Sequence, residues 1–193
     1  FLLTLGLSQD YSLSFDGEAD YVSFGSSVPS VLQIQDAITL SAWIKIDSDF
    51  PVSGNNISLL GPIISCQLDG HGSSTFKYGY AIHYDGRENS DSQTSPAGHL
   101  HFQIGDGSWH HANANKFIPS DQWIHIIATR EANNEAKIYY NGNLVASTSL
   151  DWNGSILYSG SQLTIGYQVE PSGSATNRYF KGKIDDVSIR NRF

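Results

Sequence analysis

Cysteine is nearly absent. Cys66 is the single one in 193 residues, so no disulfide can form within the chain. It stands in "GPIISCQL", where Ile64, Cys66 and Leu68 share one face of an expected strand, with no basic residue alongside. A small buried thiol is therefore expected, not a nucleophile. Positive charge is also scarce, with 11 Lys and Arg against 19 Asp and Glu and a net charge of -8. Such a chain repels phosphate backbones and anionic lipid surfaces, which excludes nucleic acid as an expected partner. No apolar run approaches the roughly 18 residues of a membrane span, so no membrane insertion is expected. Nowhere do apolar residues recur at spacings of three and four for the length of a helix. A G-x-S-x-G elbow, an H-E-x-x-H pair and a phosphate-cradling glycine loop are all missing, which removes the usual signatures of hydrolases, zinc proteases and nucleotide enzymes.

What the chain has instead is alternation. Hydrophobic residues make up 39%, aromatics 12%, and there are 18 glycines, the profile of a folded, turn-rich domain. Period-two segments recur throughout, including "YSLSF", "DYVSF", "AITLSAWIKI", "GPIISCQ", "YGYAIHY", "HLHFQI", "WIHIIATR", "AKIYYNG", "NLVAST", "QLTIG" and "FKGKIDDVSI". Gly, Asn, Asp, Ser and Pro clusters separate them. The reading is an all-β chain folded as a two-sheet antiparallel β-sandwich. Asn141-Gly142 suits a type I′ turn and marks a hairpin. Residues 47–58, 85–98 and 168–178 read as long loops. The opening "FLLTLGLSQ", residues 1–9, is apolar and uncharged, and reads either as the remnant of a secretory signal peptide or as an edge strand; residues 10–193 form one domain.

Several phrases, in order, carry a family resemblance: "LSFDGEADYVSF", "AITLSAWIKI", "GPIISC", "HLHFQIGDG", "SDQWIHIIATR", "KIYYNGNLVA", "LTIG" and "FKGKIDDVSIRNRF". Together they resemble the laminin G-like jelly-roll family of the concanavalin A-like lectin and glucanase superfamily, over about residues 11 to 190. The resemblance implies a jelly roll whose first and last strands are neighbours. It also implies a secreted or cell-surface module that binds a glycan or an extracellular protein, often with calcium. Glucanases of this fold use a strand-borne E-x-D-x-x-E. The five glutamates here, at 18, 88, 131, 135 and 170, never take that spacing. The expected function is thus a non-catalytic carbohydrate-binding module, the alternatives being a protein-protein adhesion domain or a polysaccharide-degrading enzyme.

Three groups of residues are candidates for chemistry. "FDGEAD" places three carboxylates in five positions; Asp16 and Asp20 either cap a tight turn or ligate a cation, with Glu18 facing solvent. With first and last strands adjacent, as the resemblance implies, Asp16, Gly17 and Asp20 would join Asp185 and Asp186 in a calcium (Ca2+) clasp. The apolar parity switches across "IDDV", so a bulge near Asp185 is expected. Trp109 with His110, and Trp152 with Asn153, lie among Gly, Asp and Asn, where indoles either stack on a sugar or fold over the sheet edge. Trp43 and Trp123 lie inside strand patterns and are expected in the core. His99 and His101 share the solvent-facing side of "HLHFQI", with His110 and His111 one strand later; their spacing matches no strong zinc signature. His83 and His125 read as structural.

Overall fold

A computed structural model describes residues 11–52, 59–69, 77–89, 94–150, 152, 154–168 and 178–192. The opening nine residues, Asn153 and parts of the three expected long loops lie outside them.

The expected sandwich is present as two antiparallel six-stranded sheets. The first runs β1 (Leu13–Asp16), β14 (Lys181–Arg190), β3 (Ile38–Ile46), β8 (Ile124–Arg130), β9 (Glu135–Tyr140) and β10 (Asn143–Ser149). The second runs β2 (Val22–Ser23), β11 (Thr164–Ile165), β4 (Leu60–Asp69), β5 (Lys77–Asp85), β6 (His99–Asp106) and β7 (Trp109–Asn113). A two-stranded ladder, β12 (Tyr167–Gln168) with β13 (Arg178–Tyr179), completes the strands. The helical element among the described residues is one 3-10 turn at Ser30–Leu32. No helix among them is long and apolar enough to cross a membrane.

Alternation decides what enters the core. Ile38, Leu40, Ala42, Ile44 and Ile46 of β3 are all buried, while the residues between them are not. They meet Cys66, Tyr80, Ile82, Tyr84, Leu100, Phe102 and Ile104 from the second sheet. Each fully buried aliphatic or aromatic side chain contributes about 1.5–3 kcal/mol. Cys66 is buried as expected, and burial pushes its thiol up to about 12, leaving it protonated and unreactive.

Local turn chemistry agrees with the topology. Asn141 and Gly142 both take positive φ, 48° and 78°, and close the β9–β10 hairpin with Asn143 opposite Tyr140. Gly79 (φ +87°) has no substitute, since a Cβ there would lie 1.6 Å from the Cys66 carbonyl oxygen. First and last strands are neighbours, with Phe15 opposite Gly182. The expected bulge also exists: Asp185 pairs with Trp43 but Ser188 pairs with Ser41, one residue more on β14 than on β3. It lets Ile184 before it and Val187 and Ile189 after it pack toward the core.

Two expectations are overturned by strand parity. Trp43 falls between Ala42 and Ile44, so it points away from the core and is 39% exposed. Trp123 precedes β8 on the same outer side and is 41% exposed. The histidines of β6 err in the opposite sense: His99 and His101 were expected in solvent, yet they are 0% and 1% exposed.

Candidate functional site

The acidic hairpin closes on itself. Oδ1 of Asp16 accepts backbone N–H groups from Glu18 (2.8 Å), Ala19 (3.0 Å) and Asp20 (3.3 Å). Oδ2 of Asp20 accepts the Asp16 N–H at 3.2 Å, and Gly17 supplies the positive φ of 82°. Hydrogen bonds from Ala19 and Glu18 hold the Asp16 carboxyl below the ordinary 3.8. Glu18 is exposed, as expected. The ladder then separates this turn from Asp185 and Asp186. Asp16 faces Lys181, and Leu13 already faces Ile184, so Asp185 lies four residues along an antiparallel pair, roughly 13 Å from the turn. Asp16, Gly17, Asp20, Asp185 and Asp186 therefore do not converge on one ion. The adjacency of the strands was foreseen, but antiparallel register puts their acidic ends apart, and the turn's oxygens already serve backbone donors.

The aromatic group divides as well. Trp109 and His110 are consecutive on β7 and point to opposite faces. His110 stacks on Trp152 with ring centroids 4.7 Å apart and planes 12° apart, and its Nε2 lies 3.2 Å from Asp106 Oδ1. The Arg130 guanidinium sits 4.1 Å from the Trp152 ring centroid. Arg130 donates to the carbonyls of Gln35 (2.8 Å), Asp36 (2.6 Å) and Gly154 (2.7 Å), and to Asn134 Oδ1 (3.1 Å). Trp152 is thus a packed edge residue, partly buried, with imidazole and guanidinium already against its ring. Trp109 lies over Gly105 on the other face, where a Cβ would come within 2.6 Å of its ring.

That other face of the second sheet is the largest polar constellation among the described residues. Cross-strand register builds it in rows: Asp85 and His99; His83, His101 and Asn113; Ser65, Ala81, Gln103 and His111; Gln67, Gly79, Gly105 and Trp109. Because successive strand residues alternate in facing, every second position of β4 to β7 points here. Along β5, residues 79 to 85 are buried on both faces, Tyr80, Ile82 and Tyr84 inward and Gly79, Ala81, His83 and Asp85 outward.

Several of these polar groups pair with one another. Asp85 receives Arg87 Nε at 2.9 Å and Nη2 at 2.7 Å, a bidentate pair, plus the Arg87 N–H at 2.9 Å. Burial alone would raise the Asp85 carboxyl, but the Arg87 bonds and nearby His101 hold it below the ordinary value. Nδ1 of His101 lies 3.8 Å from Asp85 Oδ2. His83, His101 and His111 form a ladder with ring centroids 5.8 and 5.6 Å apart. His83 Nε2 is 2.8 Å from Gln168 Oε1 of β12, and Gln67 Nε2 donates to Gln103 Oε1 at 3.0 Å. Burial drives His83 well below the ordinary 6.5, and lowers His99 too. His83 and His99 are therefore neutral at pH 7, uncharged donors and acceptors near a compensated carboxylate.

Asp85, His99 and His101 are the group among the described residues whose ligand atoms lie within 4.8 Å of one another, the spacing of a metal site. Both Asp85 oxygens are held by Arg87, whose positive charge opposes a cation, so the group fits a hydrogen-bonded polar network better than a metal centre. Sequence reasoning missed this assembly. Its signal was present in "HYD", "HLH" and "HHAN", polar residues at every second position of three consecutive strands.

Two facing antiparallel sheets with adjacent terminal strands define a concanavalin A-like jelly roll, the class to which this fold belongs. Residues 16–193 match a laminin G family model of the Concanavalin A-like lectin/glucanases superfamily, and the chain belongs to that family. No curated protein matches it in sequence. Among solved structures it is similar to a native heptameric SAP-like pentraxin from Limulus polyphemus, at 18% identity and TM-score 0.60, covering 93% of this chain and 75% of that one. It is also similar to the CBM40 of the Ruminococcus gnavus IT-sialidase bound to alpha2,3 sialyllactose, at 11% identity and TM-score 0.65, covering 94% and 90%. A third is the mouse laminin alpha1 chain, domains LG4-5, at 13% identity and TM-score 0.56, covering 96% and 47%. At these identities the likeness is one of fold.

Proposed function

We propose that the protein is a non-catalytic carbohydrate-recognition module acting outside the cell, and that the polar face of β4 to β7 is its glycan site. The supporting observation is the row structure: imidazoles, amides and one compensated carboxylate on a rigid sheet, with Trp109 packed over Gly105 at its end. Sugar hydroxyls need this mixture of donors and acceptors, and an indole edge suits the C–H face of a pyranose. The sialyllactose complex of the CBM40 neighbour supports the ligand class. Extracellular action is supported by the fold shared with the mouse laminin alpha1 chain, domains LG4-5. Within this reading Gln103, His111 and Trp109, which are partly exposed, meet the sugar first, while buried Gln67 donates to Gln103 and buried His101 lies against His111.

The test is a glycan array carrying neutral and sialylated oligosaccharides, with free hexose as competitor. Binding by the wild type, lost in Trp109→Ala and His111→Ala variants that keep their melting temperature, is the expected result. No retained glycan would overturn the reading in favour of adhesion to protein, and release of reducing sugar from a soluble polysaccharide would make the domain an enzyme.

A further inference from the structure

The outer face of the opposite sheet carries a second assembly, unrelated to the polar rows. Trp43 and Trp123 are 39% and 41% exposed there, and Tyr11 beside them is 78% exposed. They line an open groove of about 700 Å³ together with Lys183, Asp185 and Asp186. Cross-strand register explains the grouping. Asp185 of β14, Trp43 of β3 and His125 of β8 stand opposite one another in one row, and the Trp43 and His125 rings are 5.2 Å apart. One step away, Lys183 pairs with Lys45 on β3, and Trp123 immediately precedes Ile124, which pairs with Ile44. The β14 bulge completes the rim: Asp186 takes φ 46°, its N–H donates to Asp185 Oδ1 at 2.8 Å, and its own side chain is exposed beside the indoles.

An indole on a sheet surface forfeits burial unless something covers it, and two on one face with an exposed tyrosine mark a binding surface. The alternation of chemistry decides what covers this one. Charged groups interrupt the aromatic surface: Trp43 has the Asp185 carboxylate on one side and the His125 ring on the other, and Lys183 and Asp186 complete the lining. A stable protein interface needs about 800 Å² per partner with a contiguous apolar centre, which this spacing denies. An anionic polymer is opposed by Asp185, Asp186 and the net charge of -8. A pyranose chain has the complementary alternation at the same scale, with apolar C–H faces for Trp43 and Trp123 and hydroxyl edges for Asp185, Asp186 and Lys183. We infer that this groove is a second carbohydrate site, taking the uncharged hexopyranose units of a neutral polysaccharide through stacking on Trp43 and Trp123.

Its consequence is bivalency. The two sites lie on outward faces of two sheets packed about 10 Å apart. Two polysaccharide strands can be held at once, and a polymer bearing many units is retained far more strongly than a short oligosaccharide.

The experiment uses cellohexaose, maltohexaose, laminarihexaose and mannohexaose as probes, read by titration calorimetry and by intrinsic tryptophan fluorescence. The expected result is saturable binding of at least one hexaose, with one class of site weakened about ten-fold in Trp43→Ala or Trp123→Ala and lost from the stoichiometry in the double variant. Phenylalanine at both positions keeps a flat ring and restores part of the affinity. Trp43 and Trp123 are exposed and Trp109 and His111 partly exposed, so the melting temperature of each variant serves as the folding control. Binding that survives the Trp43→Ala/Trp123→Ala double variant but disappears in Trp109→Ala/His111→Ala overturns this inference and leaves the polar-face reading standing. Failure of every hexaose to bind overturns it as well.

Discussion

Arg130 is the residue whose removal most directly tests how the edge of the sandwich is held. It ends β8 at 2% exposure, and its guanidinium serves three backbone carbonyls and Asn134 while lying against Trp152. A hydrogen bond to a charged donor contributes about 1.5–3 kcal/mol. Four such bonds do not add fully, because the guanidinium also sheds water on burial, and breaking a buried charged network costs about 3–5 kcal/mol in practice. Arg130→Met keeps much of the volume but strands the carbonyls of Asp36 and Gly154 and leaves that of Gln35 with only the Ile156 N–H, so a loss of about 3–5 kcal/mol is expected. For a domain of this size each kcal/mol shifts the midpoint by about 2–4 °C, giving a fall of roughly 10 °C. Arg130→Lys keeps the charge but loses the planar fork and should recover only part of it. Urea unfolding followed by tryptophan fluorescence reads both. A loss below about 1 kcal/mol in Arg130→Met would refute the reasoning, since the carbonyls would then be satisfied without it.

Acid should weaken the protein earlier than its carboxylates require. His83 and His99 are held neutral below the ordinary imidazole value of 6.5, so the unfolded chain binds protons that the folded one refuses. Stability is therefore whole above about pH 6.5 and declines as pH falls below it, and His83→Gln should flatten that decline; a urea midpoint constant from pH 7 to 5 would contradict this. For the acidic hairpin, Asp16→Asn retains an oxygen for the backbone donors and should melt close to the wild type, whereas Asp16→Ala should melt lower. The depressed Asp16 carboxyl adds stability above its ordinary 3.8 that is lost as pH falls below that value. Calcium added to chelator-treated protein should leave the melting temperature unchanged; a rise in the wild type that Asp16→Asn abolishes would restore the ion to the turn.

The agreement between sequence and structure is greatest where a feature depends on near neighbours along the chain. The β9–β10 turn needs positive φ at Asn141 and Gly142, and both residue types permit it. The parity switch across "IDDV" could be satisfied only by an extra residue, and the bulge after Asp185 supplies it. Inward-facing Ile38, Leu40, Ala42, Ile44 and Ile46 were likewise visible as a period of two. Trp43 was misassigned within that same pattern because its apolar character outweighed its parity, although parity alone would have placed it outside.

Alternation and turn chemistry, both written in consecutive residues, thus determined the class of fold, the strands, the bulge and the buried thiol of this protein. Which side chains share a row was decided by register between strands distant in sequence. That register put Asp16 opposite Lys181 instead of Asp185, brought His83, His101 and Asn113 together from three strands, and set Trp43 beside Asp185 and His125. A one-residue change in pairing sends every side chain to the other face, so no local reading of the sequence can supply it.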